Sequence, residues 1–222
     1  MIKHRRMLKM MLSGNRSVTL FVMLLSAFTN FAGAEPIAKA ILISPSVTTQ
    51  SVTGTVTHLQ RGSDINLQDT ILTSQDARAI LRFTEGTVLT LGGSTKMHVK
   101  AFISNTDKKR ANFEFIKGAF RIVTGSITKT IHPDFTVHTP IGSIGVRGTD
   151  FWGGNLSDDN SIDVVLLESE HSVEVSNEFG TVTLTQVGEG TTLLPNKPPL
   201  SSRKWPQEKL NRAIQTITTK QP

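Results

Sequence analysis

The stretch FTVHTPIGSIGVRGTDFWGG, Phe135 to Gly154, decides how this chain folds. Phe135, Val137 and Thr139 alternate with Thr136 and His138, the period of a strand with one face buried. Pro140 stops that strand, because proline has no N–H for the ladder. Gly142, Gly145 and Gly148 then recur at every third position without the prolines of a collagen repeat. A nucleotide-binding glycine loop would open a helix, whereas Thr149-Asp150-Phe151-Trp152 runs into Gly153-Gly154. The glycines are therefore read as tight bends and close backbone approaches in a β-domain.

The same pattern extends outward. Ala77, Ala79, Leu81 and Phe83 share one strand face, with Arg78 and Arg82 on the other. Thr84-Glu85-Gly86-Thr87 turns that strand into Val88–Leu91. Phe113 and Phe115 alternate with Asn112 and Glu114, and Val182 and Leu184 share a face after the turn at Ser176–Gly180. With turns every eight to twelve residues, the chain is predicted to be all-β: a jelly-roll-like β-sandwich or a short β-solenoid. Beyond Pro195 the composition shifts to a proline-containing linker. Leu210, Ala213, Ile214 and Ile217 then fall at helical spacing, which predicts a short C-terminal helix from Gln207 to about Ile217. The sequence leaves open whether that helix caps the β-domain or stays mobile.

The chain opens with a targeting signature. Lys3, Arg5, Arg6, Lys9 and Arg16 precede an apolar run from Val18 to Phe28, which leads to Ala32-Gly33-Ala34. This is the layout of a cleavable secretory signal, and the run is short of the roughly 20 apolar residues of a membrane helix. The expected organisation is a signal peptide at 1–34, a β-domain at 35–194, and a linker with helix at 195–222. No stable membrane span is expected after cleavage. The full chain is formally +6. Five of its 24 basic residues and none of its 18 acidic ones lie in the signal, so 19 and 18 remain, a net charge of +1. That balance argues against nucleic acid as a partner. Cysteine is absent, which excludes disulfides, a lipoprotein anchor and thiolate metal sites.

Two phrases resemble the FecR-domain family. One is the strand–turn–strand Ala79 to Leu91. The other is Val137 to Phe151, where Thr139-Pro140 is followed by Gly145, Val146-Arg147-Gly148-Thr149 and the aromatic Phe151. Val173–Asn177 and Gly180–Leu184 resemble the family's closing hairpin, so the resemblance covers about residues 50–190. Family members favour Asp-Gly in the first hairpin, where this chain has Glu85-Gly86, and a preceding glycine where it has Ser74. The resemblance implies an exported module that contacts another protein. Well-understood members place a cytoplasmic anti-sigma segment and a membrane helix before the β-part. Here a signal peptide is expected instead, so the transduction role is not carried over.

No catalytic constellation accompanies the motif. His132, Asp134 and His138 form the densest acid–histidine group, and His138, Ser143 and Asp150 lack the turn that presents a nucleophile. Asp158, Asp159 and Asp163 do not match a calcium loop. Lys108-Lys109-Arg110 reads as a solvated loop. No metal, cofactor or enzymatic activity is expected. Arg147, in an apolar glycine-rich setting, is expected to lie partly buried and to organise structure through carboxylate or carbonyl partners, or else to bind a partner. Trp152 is either a core residue or a rim aromatic for protein or sugar. The expected partner is an envelope or secreted protein, with a carbohydrate or peptidoglycan module as the alternative and a hydrolase built around His132 and His138 as a third reading.

Overall fold

The computed structural model describes residues 35–44, 46–104, 109–130, 133–157 and 159–218. The expected signal at 1–34, and the positions of Lys108, His132 and Asp158, fall outside them.

Strands form wherever the alternating pattern runs. In chain order they are β1 (Ala38–Ile43), β2 (Val47–Gln50), β3 (Val56–His58), β4 (Asp64–Ile65), β5 (Thr70–Thr73), β6 (Ala79–Phe83), β7 (Val88–Leu91), β8 (Lys96–Ile103) and β9 (Arg110–Lys117). There follow β10 (Ala119–Val123), β11 (Asp134–Thr139), β12 (Gly142–Val146), β13 (Thr149–Gly154), β14 (Ile162–Ser169) and β15 (Val173–Asn177). The series ends with β16 (Gly180–Leu184), β17 (Glu189–Leu193) and β18 (Arg203–Lys204), before helix α1 (Gln207–Ile217).

The strands make two nine-stranded sheets. Sheet A runs β18-β17-β14-β13-β10-β7-β6-β1-β4, and sheet B runs β16-β15-β12-β11-β9-β8-β5-β2-β3. The fold is a sandwich in which the chain mostly lays two strands in one sheet and then crosses to the other. β4, β5 and β10 break this rule by crossing singly. β10 bears on the site: it crosses into sheet A alone, between two strands of sheet B. One intervening strand restores the chain direction, so β9 and β11 lie side by side in parallel, with Val137 opposite Phe113.

The core between the sheets follows from the period of two. Ala79, Leu81 and Phe83 of β6 are buried, as are Phe113 and Phe115 of β9. Phenylalanines stack through it: Phe83 lies 5.0 Å from Phe102 and 5.4 Å from Phe113, and Phe120 lies 5.0 Å from Phe115 and 5.9 Å from Phe151. Each such ring contributes about 1.5–3 kcal/mol by leaving water.

A second apolar cluster lies on the outer face of sheet A. In β14, Val164 and Leu166 point into the sandwich, while Val165 points out to join Ala119, Trp152, Trp205, Ala213 and Ile217. The apolar stripe of α1 covers this patch, with Leu210 and Ile214 partly buried at its margin. Pro206 occupies the N-cap, and Glu208 sits in the first turn, where its charge suits the helix dipole. The helix thus lies on a sheet face and does not cap the end of the sandwich. It is held by Trp152 Nε1 donating to Thr216 Oγ1 (3.0 Å), by Arg212 donating to Leu156 O (2.9 Å) and by Lys209 bonding Asp163 (2.6 Å). The Lys209 ammonium also stands 4.1 Å over the Trp205 ring.

Candidate interaction surface at the sheet-crossing corner

Thr139 to Phe151 forms a hairpin and then a corner. Thr139 pairs with Gly142 across the two-residue turn Pro140-Ile141. The Thr139 hydroxyl donates to Gly142 O (2.8 Å) and accepts from Ile141 N (3.4 Å), while proline's fixed φ suits the turn. β12 returns through sheet B with Ile144 and Val146 in the core. At Gly148 the backbone takes φ +119°, a region that side chains avoid, and the chain passes into sheet A.

Thr149 locks the arrival. Its N–H donates to Thr124 Oγ1 (2.8 Å), its carbonyl accepts from Thr124 N and Oγ1 (both 3.1 Å), and its hydroxyl donates to Glu168 O. Phe151 then enters the core, fully buried. The three regularly spaced glycines have different reasons. A Cβ on Gly142 would meet Ser176 O at 2.5 Å, and Gly148 needs its φ. A Cβ on Gly145 would find nothing nearer than 3.9 Å, so packing does not require glycine there.

The first hairpin converges on the same corner. Glu85 accepts from Thr87 N and Ile127 N (both 3.1 Å) through its carboxylate and from Ser126 N (3.1 Å) through its carbonyl. Gly125 N donates to Thr87 Oγ1 (2.9 Å). The segment 124–128 therefore joins the Glu85-Gly86 turn to Thr149. Glutamate here does structural work that its sequence position did not announce.

At this corner one expectation is corrected, for Arg147, and one open alternative is decided, for Trp152. Arg147 is exposed, because it stands where the chain leaves one sheet and has not entered the next. Among the described residues no carboxylate lies within ion-pair distance of it. The structural guanidinium is Arg121. It grips Asp150, 3% exposed, with Nε on Oδ1 at 2.8 Å and a second bond from Nη2 to Oδ2. That hydrogen bond raises the Arg121 pKa above its ordinary value, against desolvation and with help from the charges of Asp150 and Glu168. Trp152 is 0% exposed beneath α1 and Trp205, 6.2 Å from the latter ring, and so is no rim aromatic. The aromatic platform that a sugar would stack on is thereby sealed.

The remaining polar candidates do not converge. His98 is occupied by Thr70 Oγ1 (3.0 Å) and Gln68 Oε1 (3.2 Å). His138 is exposed on β11 opposite Ser143, while Asp150 lies in the other sheet with Arg121. Asp163 is taken by Lys209 and Thr192 (both 2.6 Å), apart from any loop cation. Arg110 of the basic cluster pairs with Asp134 at 2.5 Å. Among the described residues no three His, Cys, Asp or Glu side chains come together as a cation site.

What stays open is a polar groove of about 460 Å³ on the outer side of the corner. Asp134, Thr136, Gly145, Arg147, Ser172 and Glu174 line it. The missing side chain at Gly145 forms part of its floor, and Arg147 offers an uncommitted cation at its rim.

A two-sheet sandwich with a Thr-Pro hairpin inside sheet B and a Val-Arg-Gly-Thr corner that carries the chain into sheet A defines a class of β-module. Residues 69–170 match the model of the FecR protein family. The match runs from just before β5 to the end of β14 and leaves out β1–β4, β15–β18 and α1. No curated protein gives a significant match. A crystal structure of a candidate anti-sigma factor from Parabacteroides distasonis ATCC 8503 is similar in fold, at 18% identity and a TM-score of 0.51. The alignment covers 64% of this chain and 62% of that one, so this chain spans under two thirds of its length. A second crystal structure of a candidate anti-sigma factor from the same organism gives 17% identity and a TM-score of 0.49, over the same shares. Among the described residues no helix is long and apolar enough to cross a membrane.

Proposed function

We propose that this chain is an exported FecR-type β-domain that acts without catalysis, by binding an envelope or secreted protein in sensing or assembly. Export is supported by the basic start, the apolar run and Ala32-Gly33-Ala34. The domain division follows the same reading: signal at 1–34, β-domain at 35–194, and the segment 195–222 that carries α1.

The observation that carries the proposal is the unequal use of the family motif. Val146, Gly148, Thr149 and Phe151 are consumed by the fold, through burial, backbone angle and hydrogen bonds. Arg147 is not, and it stands exposed beside the groove over Gly145. An arginine fork matches carboxylates, and a glycine floor lets a partner's backbone approach closely.

The test is quantitative capture from an envelope extract with the wild-type chain and Arg147→Ala, each shown to be folded by circular dichroism. A partner retained by wild type and reduced at least about tenfold by the variant supports the reading, an effect on the scale of one charge-assisted hydrogen bond. Equal capture by both removes Arg147 from the interface.

A further inference from the structure

The two sheets end in four edge strands, and natural edges are normally blunted against pairing. Three of these are. β4 has two residues, one of them Asp64 in an ion pair with Lys39. β18 is Arg203-Lys204, short and charged. β3 has three residues. β16 differs. Gly180-Thr181-Val182-Thr183-Leu184 carries no charge and no proline, and all five residues pair with β15 without a bulge.

The register says which groups β16 leaves unused. Asn177 and Gly180 close a two-residue turn, so they form a hydrogen-bonded pair. Alternation then aims the N–H and C=O of Val182 and Leu184 at β15. Those of Thr181 and Thr183 point outward in the sheet plane, and no bond to them occurs among the described residues beyond the ladder. Pro198 and Pro199 lie under Gly180, on the side shared with Val182 and Leu184. They close the sandwich from within and leave the edge open.

The apolar residues around this edge are placed symmetrically. Phe179 is 48% exposed just before the strand, and Val187 is 54% exposed just after it. Val182, at the centre, is only partly buried against the core. We propose that two copies of this chain pair antiparallel along β16, with the two-fold axis at Val182. Thr181 of each copy then faces Thr183 of the other, and their outward N–H and C=O groups bond reciprocally on both sides of the axis. Val182 meets its twin. Phe179 sits at the turn before the strand and Val187 in the turn after it, so the antiparallel pair brings the Phe179 end of each copy to the Val187 end of the other. This self-complementarity favours a second copy over a foreign strand, and it does not depend on the role of Arg147.

The absence of cysteine makes the test clean. A non-hydrogen-bonded antiparallel pair brings its Cα atoms to about 4.5 Å, within disulfide reach. Val182→Cys in the full chain is expected to form a disulfide-linked dimer under mild oxidation. Val52→Cys, 81% exposed in the β2–β3 turn, serves as the collision control. Adding Thr183→Pro removes an outward N–H without touching the β15 ladder, and is expected to cut cross-linking of Val182→Cys at least about tenfold. Adding Thr181→Lys with Thr183→Lys sets like charges opposite each other and is expected to do the same, which covers the case in which proline disturbs the strand. Cross-linking no faster than the Val52→Cys control overturns the proposal. So does cross-linking that survives both edge variants, or that joins Val182→Cys only to a different protein from an envelope extract.

Discussion

Strands β12 and β13 are separated only by Arg147 and Gly148, yet they are buried in opposite ways. β12 alternates, with Ile144 and Val146 in the core and Ser143 and Gly145 toward the outer face. All six residues of β13 are buried. The sheets explain the difference. The outer face of sheet B around β12 has no cover among the described residues, whereas α1 and Trp205 close the outer face of sheet A around Trp152. The same motif thus supplies a two-sided core strand and, immediately before it, a one-sided strand beside an open groove. The corner divides buried from open surface, and Arg147 falls on the open side, the side proposed for contact.

The largest test of this division is Trp152→Ala. If Trp152 is the centre of the outer cluster, the change costs about 3–5 kcal/mol in chemical denaturation, as for other buried aromatics. It is also expected to speed amide exchange in α1 more than in β11 and β12. A loss below about 1 kcal/mol would place the ring outside the packing.

A sharper test uses the glycines of the corner. Gly148→Ala forces a side chain into a φ of +119° and is expected to cost about 1–3 kcal/mol. Gly145→Ala meets no close atom and is expected to stay within about 0.5 kcal/mol of wild type, while narrowing the groove and weakening partner capture. Equal destabilisation by both would erase the distinction between fold-making and surface glycines.

Much of the sandwich could be read from local pattern. The buried face of β6 at Ala79, Leu81 and Phe83, the face of β16 at Val182 and Leu184, and the stripe of α1 at Leu210, Ala213, Ile214 and Ile217 all follow periods of two or 3.6. The site was less readable, because its decisive contacts are remote in sequence. Asp150 finds Arg121 from 29 residues away, and Trp152 finds Thr216 across 64. Arg147 is set apart from Arg121 by the glycine that follows it, but that difference does not tell which arginine finds a carboxylate. Arg121 stands between Phe120 and Ile122 and Arg147 between Val146 and Gly148, and only the pairing of β10 with β13 selects one of them for Asp150. Trp152 was ambiguous for the same reason: α1 was foreseeable as a helix, but not the face it would cover. The unbroken apolar run Val164–Leu167 is the available signal, since a strand buried on both faces loses its alternation.

The central claim is that Arg121 holds the fold together while Arg147 is free for contact. Urea unfolding of Arg121→Ala beside Arg147→Ala tests it directly. Removing Arg121 leaves Asp150 buried without its partner and is expected to cost about 3 kcal/mol. Removing Arg147 is expected to shift stability by no more than about 0.5 kcal/mol. Equal losses for the two variants, or the larger loss for Arg147→Ala, would contradict the account.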